Sequence, residues 1–230
     1  MKSFLLLRHG ESVWNKINKF TGWTNIQLTE HGCNQAYNAG KILKHNNINP
    51  TIIFSSELNR CIETSKLLRN GLNKDITFKI SWRLNEKHYG PCEGLTRNVI
   101  SNIYGEHFLK NLRKDYYLMP PKVDECIIKN TIYQLPYYDE NNLQFGESNE
   151  MVEKRLLPYW NNCIIDYINN DRLPIIITHK HPARVLIKYL SNMSHEDFNN
   201  FDINNAVIYK VNLNHNFKID NINKDIIKID

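Results

Sequence analysis

Two short apolar runs in this chain end abruptly at a histidine. The first reads F-L-L-L-R-H-G-E-S over residues 4–12, and the second reads I-I-I-T-H-K-H-P over residues 175–182. A neutral imidazole is a good nucleophile near its unperturbed pKa of about 6.5. Arg8 places a fixed cation beside His9, and Gly10 has no side chain, so a ligand can approach the backbone closely. These residues indicate chemistry on an anionic group.

Two further polar residues lie close to predicted strand ends. Arg60 closes the run T-I-I-F-S-S-E-L-N-R (51–60), which predicts a strand, a turn and the first turns of a helix. Arginine suits phosphate, because its planar guanidinium binds two oxygens at once. Glu86 lies within R-L-N-E-K-H-Y-G (83–90), which is typical of a polar loop. By itself, a glutamate in such a loop is usually only solvated.

Strand and helix patterns alternate along the chain. Short apolar runs predict strands at 4–7, 51–54, 76–80, 174–178 and 206–211, and helical spacing predicts helices at 29–44, 57–68, 151–168 and 182–190. Continuous β-branched runs are typical of strands buried on both faces. The alternation indicates an α/β domain with a mostly parallel sheet, in which ligands bind at the carboxyl ends of the strands. His9 and His179 can therefore face one pocket if their strands are neighbours.

Composition and charge narrow the function class. The 230 residues, 41% hydrophobic and 23% charged, contain no linker-like segment, so we predict one domain over residues 1–230. No apolar run approaches the roughly 18 residues that span a membrane. Five cysteines, odd in number and without C-x-x-C spacing, favour reduced thiols and a cytoplasmic location. A net charge of +5 without a long basic run suits small anionic ligands and disfavours nucleic acid.

Several motifs in sequence order resemble one enzyme family. They are L-L-R-H-G-E-S-x-W-N, N-K-F-T-G-W-T-N, S-S-x-L-x-R, W-R-L-N-E-K-H-Y-G and R-K-D-Y-Y-x-M-P-P. Together they resemble the cofactor-dependent phosphoglycerate mutases of the histidine phosphatase superfamily, over residues 4–213 of this chain. The resemblance implies a three-layer α/β sandwich with a mostly parallel central sheet and helices on both faces. It also implies phosphoryl transfer on small phosphorylated substrates and, by analogy, a homodimer.

The resemblance assigns a role to each predicted site residue. His9 resembles the nucleophile that takes the phosphoryl group on nitrogen, and Glu86 resembles the general acid and base. The family surrounds that group with side chains that bind its oxygens, and the residues that resemble them here are Arg8, Arg60 and His179. Residues that would hold the substrate carboxylate and second phosphate are Asn15, Thr21, Gly22, Tyr89, Arg97, Arg113 and Lys114. No metal is implied, because cations already surround the phosphoryl group.

The loop at the second histidine departs from the family pattern. The mutases have H-G-N-S where this chain has His179, Lys180, His181 and Pro182. If the glycine position needs a left-handed backbone, Lys180 costs roughly 1–2 kcal/mol. Pro182, predicted as the first residue of a helix, removes an N–H from a helix start that would otherwise face an anion. It is also expected to push His181 toward an extended backbone.

These departures favour hydrolysis over mutase turnover. A mutase must keep its phosphohistidine from water until an acceptor hydroxyl arrives, and a closed lid does this. The chain also lacks the family's Pro-Thr-Gly segment and has a short tail after its last predicted strand. We therefore predict a phosphatase for small phosphomonoesters with weak mutase activity. The alternative is a phosphoglycerate mutase of glycolysis that uses 2,3-bisphosphoglycerate as phosphodonor.

Two other classes of function stay open at this point. His9, His179 and His181 can be interpreted as metal ligands, although Arg8 and Arg60 would repel a divalent cation in the same pocket. A binding module that keeps the fold without activity is the other alternative. Against it, every catalytic position of the motif carries the family's residue.

Overall fold

A six-stranded sheet forms the centre of the protein, whose computed structural model describes residues 2–121, 146–170, 172–219 and 226–227. The strands are β1 (Lys2–Arg8), β2 (Ile52–Ser55), β3 (Thr77–Ile80), β4 (Pro174–Thr178), β5 (Ile208–Leu213) and β6 (Ile226–Ile227). Their order in the sheet is β3-β2-β4-β1-β5-β6. The first four strands in this order are parallel to one another, and β5 runs antiparallel to both β1 and β6. The predicted mostly parallel sheet is confirmed.

Helices cover both faces of the sheet. They are α1 (Val13–Lys16), α2 (Glu30–His45), α3 (Asn59–Leu72), α4 (Arg97–Tyr104), α5 (Glu106–Leu112), α6 (Asn149–Tyr159), α7 (Ile165–Asn169), α8 (Lys180–Ser191) and α9 (His195–Asn200). Side chains alternate along a strand, so β1 supplies Phe4 and Leu6 to the core under α6 and α8. Leu5 and Leu7 enter the opposite core, with α2 and α3. The result is the three-layer α/β sandwich that the resemblance implied.

The helix predicted over 151–168 is interrupted in the structure. A π-helical turn, Trp160–Ile164, separates α6 from α7. Pro158, in the last turn of α6, has no N–H for the helical ladder, and breaks of this kind are accommodated by π turns. Four of the described helices, α1, α4, α5 and α9, were not predicted from the sequence, since each has eight residues or fewer.

The helix after the second histidine begins earlier than predicted. It starts at Lys180 with His179 as its N-cap, so Pro182 is its third residue. Proline is tolerated there, because N–H groups of the first turn have no partner within the helix. His181 is helical, which contradicts the expected extended backbone, and hydrogen bonds described below hold it in place. Lys180 is also helical and does not have a positive φ, so the expected left-handed strain is absent.

The sheet register brings the two histidines to one edge. Strands β1 and β4 are neighbours, with Arg8 opposite Thr178. His9 and His179 follow these residues, and their ring centroids are 4.9 Å apart.

No helix in the described part of the chain combines the length and apolar character needed to cross a membrane.

Candidate active site

A cavity of about 240 Å³, called here the first cavity, lies at the carboxyl ends of the central strands. Ten of the twelve predicted site residues line it: Arg8, His9, Asn15, Thr21, Gly22, Arg60, Glu86, Tyr89, Arg97 and Arg113. The remaining lining residues had no predicted role: Asn18, Lys19, Phe20, Lys180 and Asn205. The structure therefore brings together side chains that lie up to almost 200 residues apart in the sequence, as the bond from Asn205 to His9 shows.

His9 lies in the wall of the first cavity with only 2% of its surface exposed. Its Nδ1 is 2.7 Å from the carbonyl oxygen of Gly10. A carbonyl oxygen only accepts, so Nδ1 carries the proton and Nε2 keeps its lone pair. Burial, together with the nearby charges of Arg60 and Arg8, holds the pKa of His9 well below its ordinary value. At neutral pH the imidazole is therefore uncharged, with Nε2 as its nucleophilic atom.

Arg60 is fixed by three hydrogen bonds. Its Nη2 donates to the carbonyl of Gly22 over 2.6 Å and its Nη1 to the carbonyl of Thr24 over 2.9 Å. Its Nε donates to His179 Nδ1 over 3.2 Å. These bonds use three of the guanidinium's five N–H groups, which leaves two for a ligand. His179 itself is completely buried behind Arg60 and does not line the first cavity.

A rigid loop presents the carboxylate of Glu86. Its Oε1 accepts the backbone N–H groups of Lys87, over 2.8 Å, and His181, over 3.1 Å. The guanidinium of Arg155 donates to the backbone carbonyl of Glu86 and forms a buried ion pair with Glu147. In its protonated form, a carboxyl group held in this way at the cavity wall can give a proton to a bound leaving group, as the predicted general acid must.

His181 connects the second-histidine loop to Tyr89. Tyr89 Oη lies 2.7 Å from His181 Nε2, and His181 Nδ1 lies 2.6 Å from Asn149 Oδ1. The side-chain nitrogen of Asn149 donates to the carbonyl of Asp115, so its Oδ1 is the acceptor and His181 Nδ1 carries a proton. Burial and four nearby cations hold the pKa of His181 well below its ordinary value. Tyr89 must therefore donate its proton to His181 Nε2, which leaves only lone pairs for the cavity.

The predicted substrate-binding residues do not form one cluster. Lys114 lies outside the first cavity and lines a neighbouring cavity of about 520 Å³, called here the second cavity. The two cavities share Arg97, Arg113 and Lys180. In the first cavity, Thr21 Oγ1 is buried and has no hydrogen-bond partner among the described residues, so it is available to a ligand.

Two of the five lining residues without a predicted role, Asn205 and Lys180, form hydrogen bonds in the wall of the first cavity. Asn205 donates from its side chain to the carbonyl of His9 over 2.8 Å. No motif surrounds Asn205 in the sequence, so the sequence does not indicate that it belongs to the site. Lys180 Nζ bonds Asp202 Oδ2 over 2.5 Å, and burial together with Arg113 lowers the pKa of Lys180 to about 8. Lys180 replaces the family glycine, and this departure was the signal in the sequence from which its place in the cavity wall could have been predicted.

Metal-ligating side chains do not cluster in the part of the chain that the structure describes. There, no group of three or more His, Cys, Asp or Glu residues is arranged to hold a metal ion. The ring nitrogens of His179 and His181 all lie within hydrogen-bond distance of protein groups.

Comparison with known proteins shows the family. The model of the histidine phosphatase superfamily (branch 1) matches residues 4–224. The chain belongs to this superfamily. The protein is therefore an enzyme that transfers phosphoryl groups, and its fold and catalytic motif agree with that assignment.

Relatives of this protein within the superfamily carry more specific names. A 2,3-bisphosphoglycerate-dependent phosphoglycerate mutase of Parabacteroides distasonis is 35% identical over 224 residues, which cover 96% of this chain and 90% of the relative. A protein of the same name from Buchnera aphidicola subsp. Cinara cedri is 37% identical over 205 residues, covering 88% and 89%. The structure of a mycobacterial glucosyl-3-phosphoglycerate phosphatase shares the fold, with a TM-score of 0.71, 22% identity and coverage of 92% and 93%.

Proposed function

We propose that this enzyme hydrolyses phosphomonoesters of small metabolites through a phosphohistidine, with weak mutase activity. His9 Nε2 attacks phosphorus, the bond to the alcohol oxygen breaks, and Glu86 gives that oxygen a proton. Water, deprotonated by Glu86, then attacks the phosphohistidine and releases inorganic phosphate and neutral His9. Arg8 and Arg60 stabilise the charge on the equatorial oxygens in both steps.

The observation that supports hydrolysis is the hydrogen bond from Tyr89 to His181. A mutase must hold a phosphoglycerate by its carboxylate and second phosphate until its hydroxyl reaches the phosphohistidine. Tyr89 is one of the residues that the resemblance assigns to these anionic groups. With its proton directed at His181, Tyr89 turns lone pairs toward a carboxylate, and a missing donor of this kind costs about 1–3 kcal/mol. Water can donate a hydrogen bond to Tyr89 Oη, whereas a carboxylate cannot. Water therefore competes more effectively with a phosphoglycerate for the phosphoryl group.

The relatives favour a second candidate, a 2,3-bisphosphoglycerate-dependent phosphoglycerate mutase. The Parabacteroides and Buchnera proteins carry that name. In this case 2,3-bisphosphoglycerate would supply the phosphoryl group to His9. The cationic side chains of Arg97, Arg113 and Lys180 in the wall of the first cavity suit its remaining phosphate. Both candidates use the same nucleophile and differ only in the acceptor, water or a phosphoglycerate.

Two assays on one preparation decide between the candidates. The first couples conversion of 3-phosphoglycerate to 2-phosphoglycerate to enolase, with 2,3-bisphosphoglycerate supplied. The second measures phosphate release from phosphomonoesters. We expect phosphate release to exceed mutase turnover. Mutase turnover well above hydrolysis would make the second candidate the correct one.

The variant His181→Asn tests the role of the tyrosine proton. Asparagine is the family residue at this position, and its amide can donate to Tyr89 Oη, which frees the hydroxyl proton for the cavity. We expect the mutase-to-phosphatase ratio to rise about tenfold, the equivalent of one hydrogen bond. The triple change Lys180→Gly, His181→Asn and Pro182→Ser should raise it at least as far. In a Tyr89→Phe background His181→Asn should have no effect on the ratio, and a full effect there would contradict this explanation.

A further inference from the structure

We propose that Glu93 is a positioning residue for Arg60, the arginine that the proposed function places on the transferred phosphoryl group. Glu93 has no predicted role and lines neither cavity. Its carboxylate holds the loop of residues 21–24, and backbone carbonyls of this loop hold the guanidinium of Arg60. The inference rests on the proposed function for the role of Arg60, but it does not depend on which acceptor, water or a phosphoglycerate, takes the phosphoryl group.

The carboxylate of Glu93 accepts hydrogen bonds from two segments of the chain. Its Oε1 accepts the backbone N–H groups of Trp23, over 3.0 Å, and Tyr89, over 3.1 Å. Its Oε2 accepts the backbone N–H of Thr24 over 3.2 Å and the Thr24 hydroxyl over 2.8 Å. The side chain of Glu93 is only 5% exposed, so these donors replace water around a buried carboxylate. The four bonds join the 21–24 loop to the segment that carries Tyr89.

Gly22 shows how closely the carboxylate packs against the loop. Gly22 has a φ of +50°, a left-handed conformation that glycine adopts readily. A Cβ atom at this position would collide with the carboxylate of Glu93. The missing side chain of Gly22 therefore makes room for Glu93, in addition to any contact that Gly22 makes with a ligand in the first cavity.

The loop transmits this order to Arg60. The carbonyls of Gly22 and Thr24 accept two of the three hydrogen bonds that fix the guanidinium. Burial lowers the pKa of Arg60, and the negative charges of Glu86 and Glu93 oppose that shift. Because Glu93 acts through the loop, it stabilises the guanidinium without occupying the two N–H groups that are left for a phosphoryl group.

The loop also contacts Glu86, so two routes to the reaction have to be separated. Trp23 Nε1 donates to the backbone carbonyl of Glu86 over 2.6 Å. That carbonyl is also held by Arg155, and the carboxylate of Glu86 is held by two backbone N–H groups outside the loop. Arg60, by contrast, keeps only its bond to His179 when the loop is released. We therefore expect the loss at Arg60.

The variants Glu93→Ala and Glu93→Gln test the inference through the rate of phosphoryl transfer to His9. Alanine removes every acceptor, and the rate should fall about 10- to 100-fold, because a misplacement of about 1 Å can cost that much. Glutamine keeps one oxygen and should recover part of the loss. Glu93→Ala should slow alkyl phosphates and nitrophenyl phosphate equally, because Arg60 binds phosphoryl oxygens and not the leaving group. A loss confined to alkyl phosphates would overturn the inference.

The background Arg60→Gln shows whether Glu93 acts through Arg60. There Glu93→Ala should add less than about a twofold loss, since the guanidinium that it positions is absent. Two losses that multiply would overturn the inference. Ser194→Ala is the control for lost stability, because it removes the N-cap of α9 outside both cavities and should leave the rate unchanged.

A milder variant covers the case in which Glu93→Ala does not fold. Thr24→Val removes only the hydroxyl that donates to Glu93 Oε2 and keeps the branched shape of the side chain. We expect the rate to fall about three- to tenfold, the equivalent of one hydrogen bond, and to show no further fall in the Arg60→Gln background. An unchanged rate in Thr24→Val would count against the role of the carboxylate.

The Nε–H proton of Arg60 reports its position without turnover. It is buried and donates to His179 Nδ1, so its NMR signal, identified by its absence in Arg60→Lys, should exchange slowly. Glu93→Ala should accelerate the exchange about tenfold or more, and Ser194→Ala should not. If this holds but no phosphomonoester is hydrolysed, Glu93 positions Arg60 and the proposed hydrolysis is wrong. If hydrolysis occurs while Glu93→Ala matches the parent in exchange and rate, the proposed function stands and Glu93 has no such role.

Discussion

Arg60 donates its Nε–H to Nδ1 of His179 over 3.2 Å, and both side chains are almost completely buried. His179 Nε2 lies 2.8 Å from Ser56 Oγ. The Ser56 hydroxyl donates its hydrogen bond to Asn85 Oδ1 over 2.7 Å. His179 Nε2 therefore carries a proton and donates it to Ser56. Because protein groups occupy both ring nitrogens, we expect His179 to act on a phosphoryl group only through the position of Arg60.

The variant His179→Ala should slow phosphoryl transfer only because Arg60 is held less firmly in position. Without the imidazole, Arg60 loses one of its three fixed partners, and a hydrogen bond to a charged group is worth about 1.5–3 kcal/mol. We expect kcat to fall roughly 10- to 150-fold, with the melting temperature measured as a control for folding. His179→Gln can accept from Arg60 and donate to Ser56, so it should recover part of the loss. Equal rates for the alanine and glutamine variants would contradict the positioning role.

The covalent intermediate should form on His9. Its neutral ring, its free Nε2 and its position in the cavity wall make it the nucleophile that the site offers. Brief mixing with a labelled phosphodonor should give a protein phosphate that is labile in acid and stable in base. The label should be absent in His9→Ala. An acid-stable label, or a label that survives in His9→Ala, would place the nucleophile elsewhere.

Glu86→Gln should affect substrates according to their leaving group. The amide keeps the size of the side chain but cannot give a proton to the departing oxygen. General acid catalysis is worth roughly 10²–10⁴-fold, so alkyl phosphates should slow by about that factor. Nitrophenyl phosphate, whose leaving group needs little protonation, should slow far less. Equal losses on the two substrates would reduce Glu86 to a positioning residue.

Stability should decrease in mild acid because three histidines are buried without charge. Burial first, and neighbouring cations second, hold the pKa values of His9, His179 and His181 well below 6.5. The unfolded chain protonates these rings near pH 6.5, so below that pH it binds more protons than the folded chain. Each ring then contributes a slope of about 1.4 kcal/mol per pH unit to the free energy of unfolding, and the three together about 4.

Urea unfolding at pH 7, 6 and 5 measures this slope. His181→Asn removes one of the three rings and should reduce the slope by about a third. A free energy of unfolding that does not change between pH 7 and pH 5 would mean that the folded and the unfolded chain take up the same number of protons, which would contradict the lowered pKa values of the rings. The same slope in the variant and the parent would exclude His181 from the effect.

The positions of His9, His179 and Arg60 could be predicted from the sequence, because each of these residues follows closely on a predicted strand. The uninterrupted apolar runs before His9 and His179 predict fully buried strands, and strands β1 and β4 are the central ones. Parallel strands end at the same edge of a sheet, so their carboxyl-terminal residues meet there. Arg60 also lies where the pattern places it, in the first turn of α3.

The structure alone decided how the divergent loop is used. The sequence marked Lys180, His181 and Pro182 as departures and predicted an extended His181, which was wrong. Strain at Lys180 was expected only if its backbone were left-handed, and it is helical. Local preferences gave way to contacts from distant segments. Glu86 and Tyr89, more than 90 residues away, hold the backbone and ring of His181.

By itself, then, the sequence determined the mostly parallel sheet and the strand ends that carry His9 and His179, because these depend on local hydrophobic periodicity. The roles of the catalytic residues were indicated by the family resemblance of the motifs. The tertiary structure decided the direction of the Tyr89 proton and the place of Lys114 in a second cavity. Both features depend on which hydrogen-bond acceptors and which like-charged side chains the fold brings close together. A buried proton goes to whichever acceptor lies within hydrogen-bond distance, and no pattern along the chain records that distance.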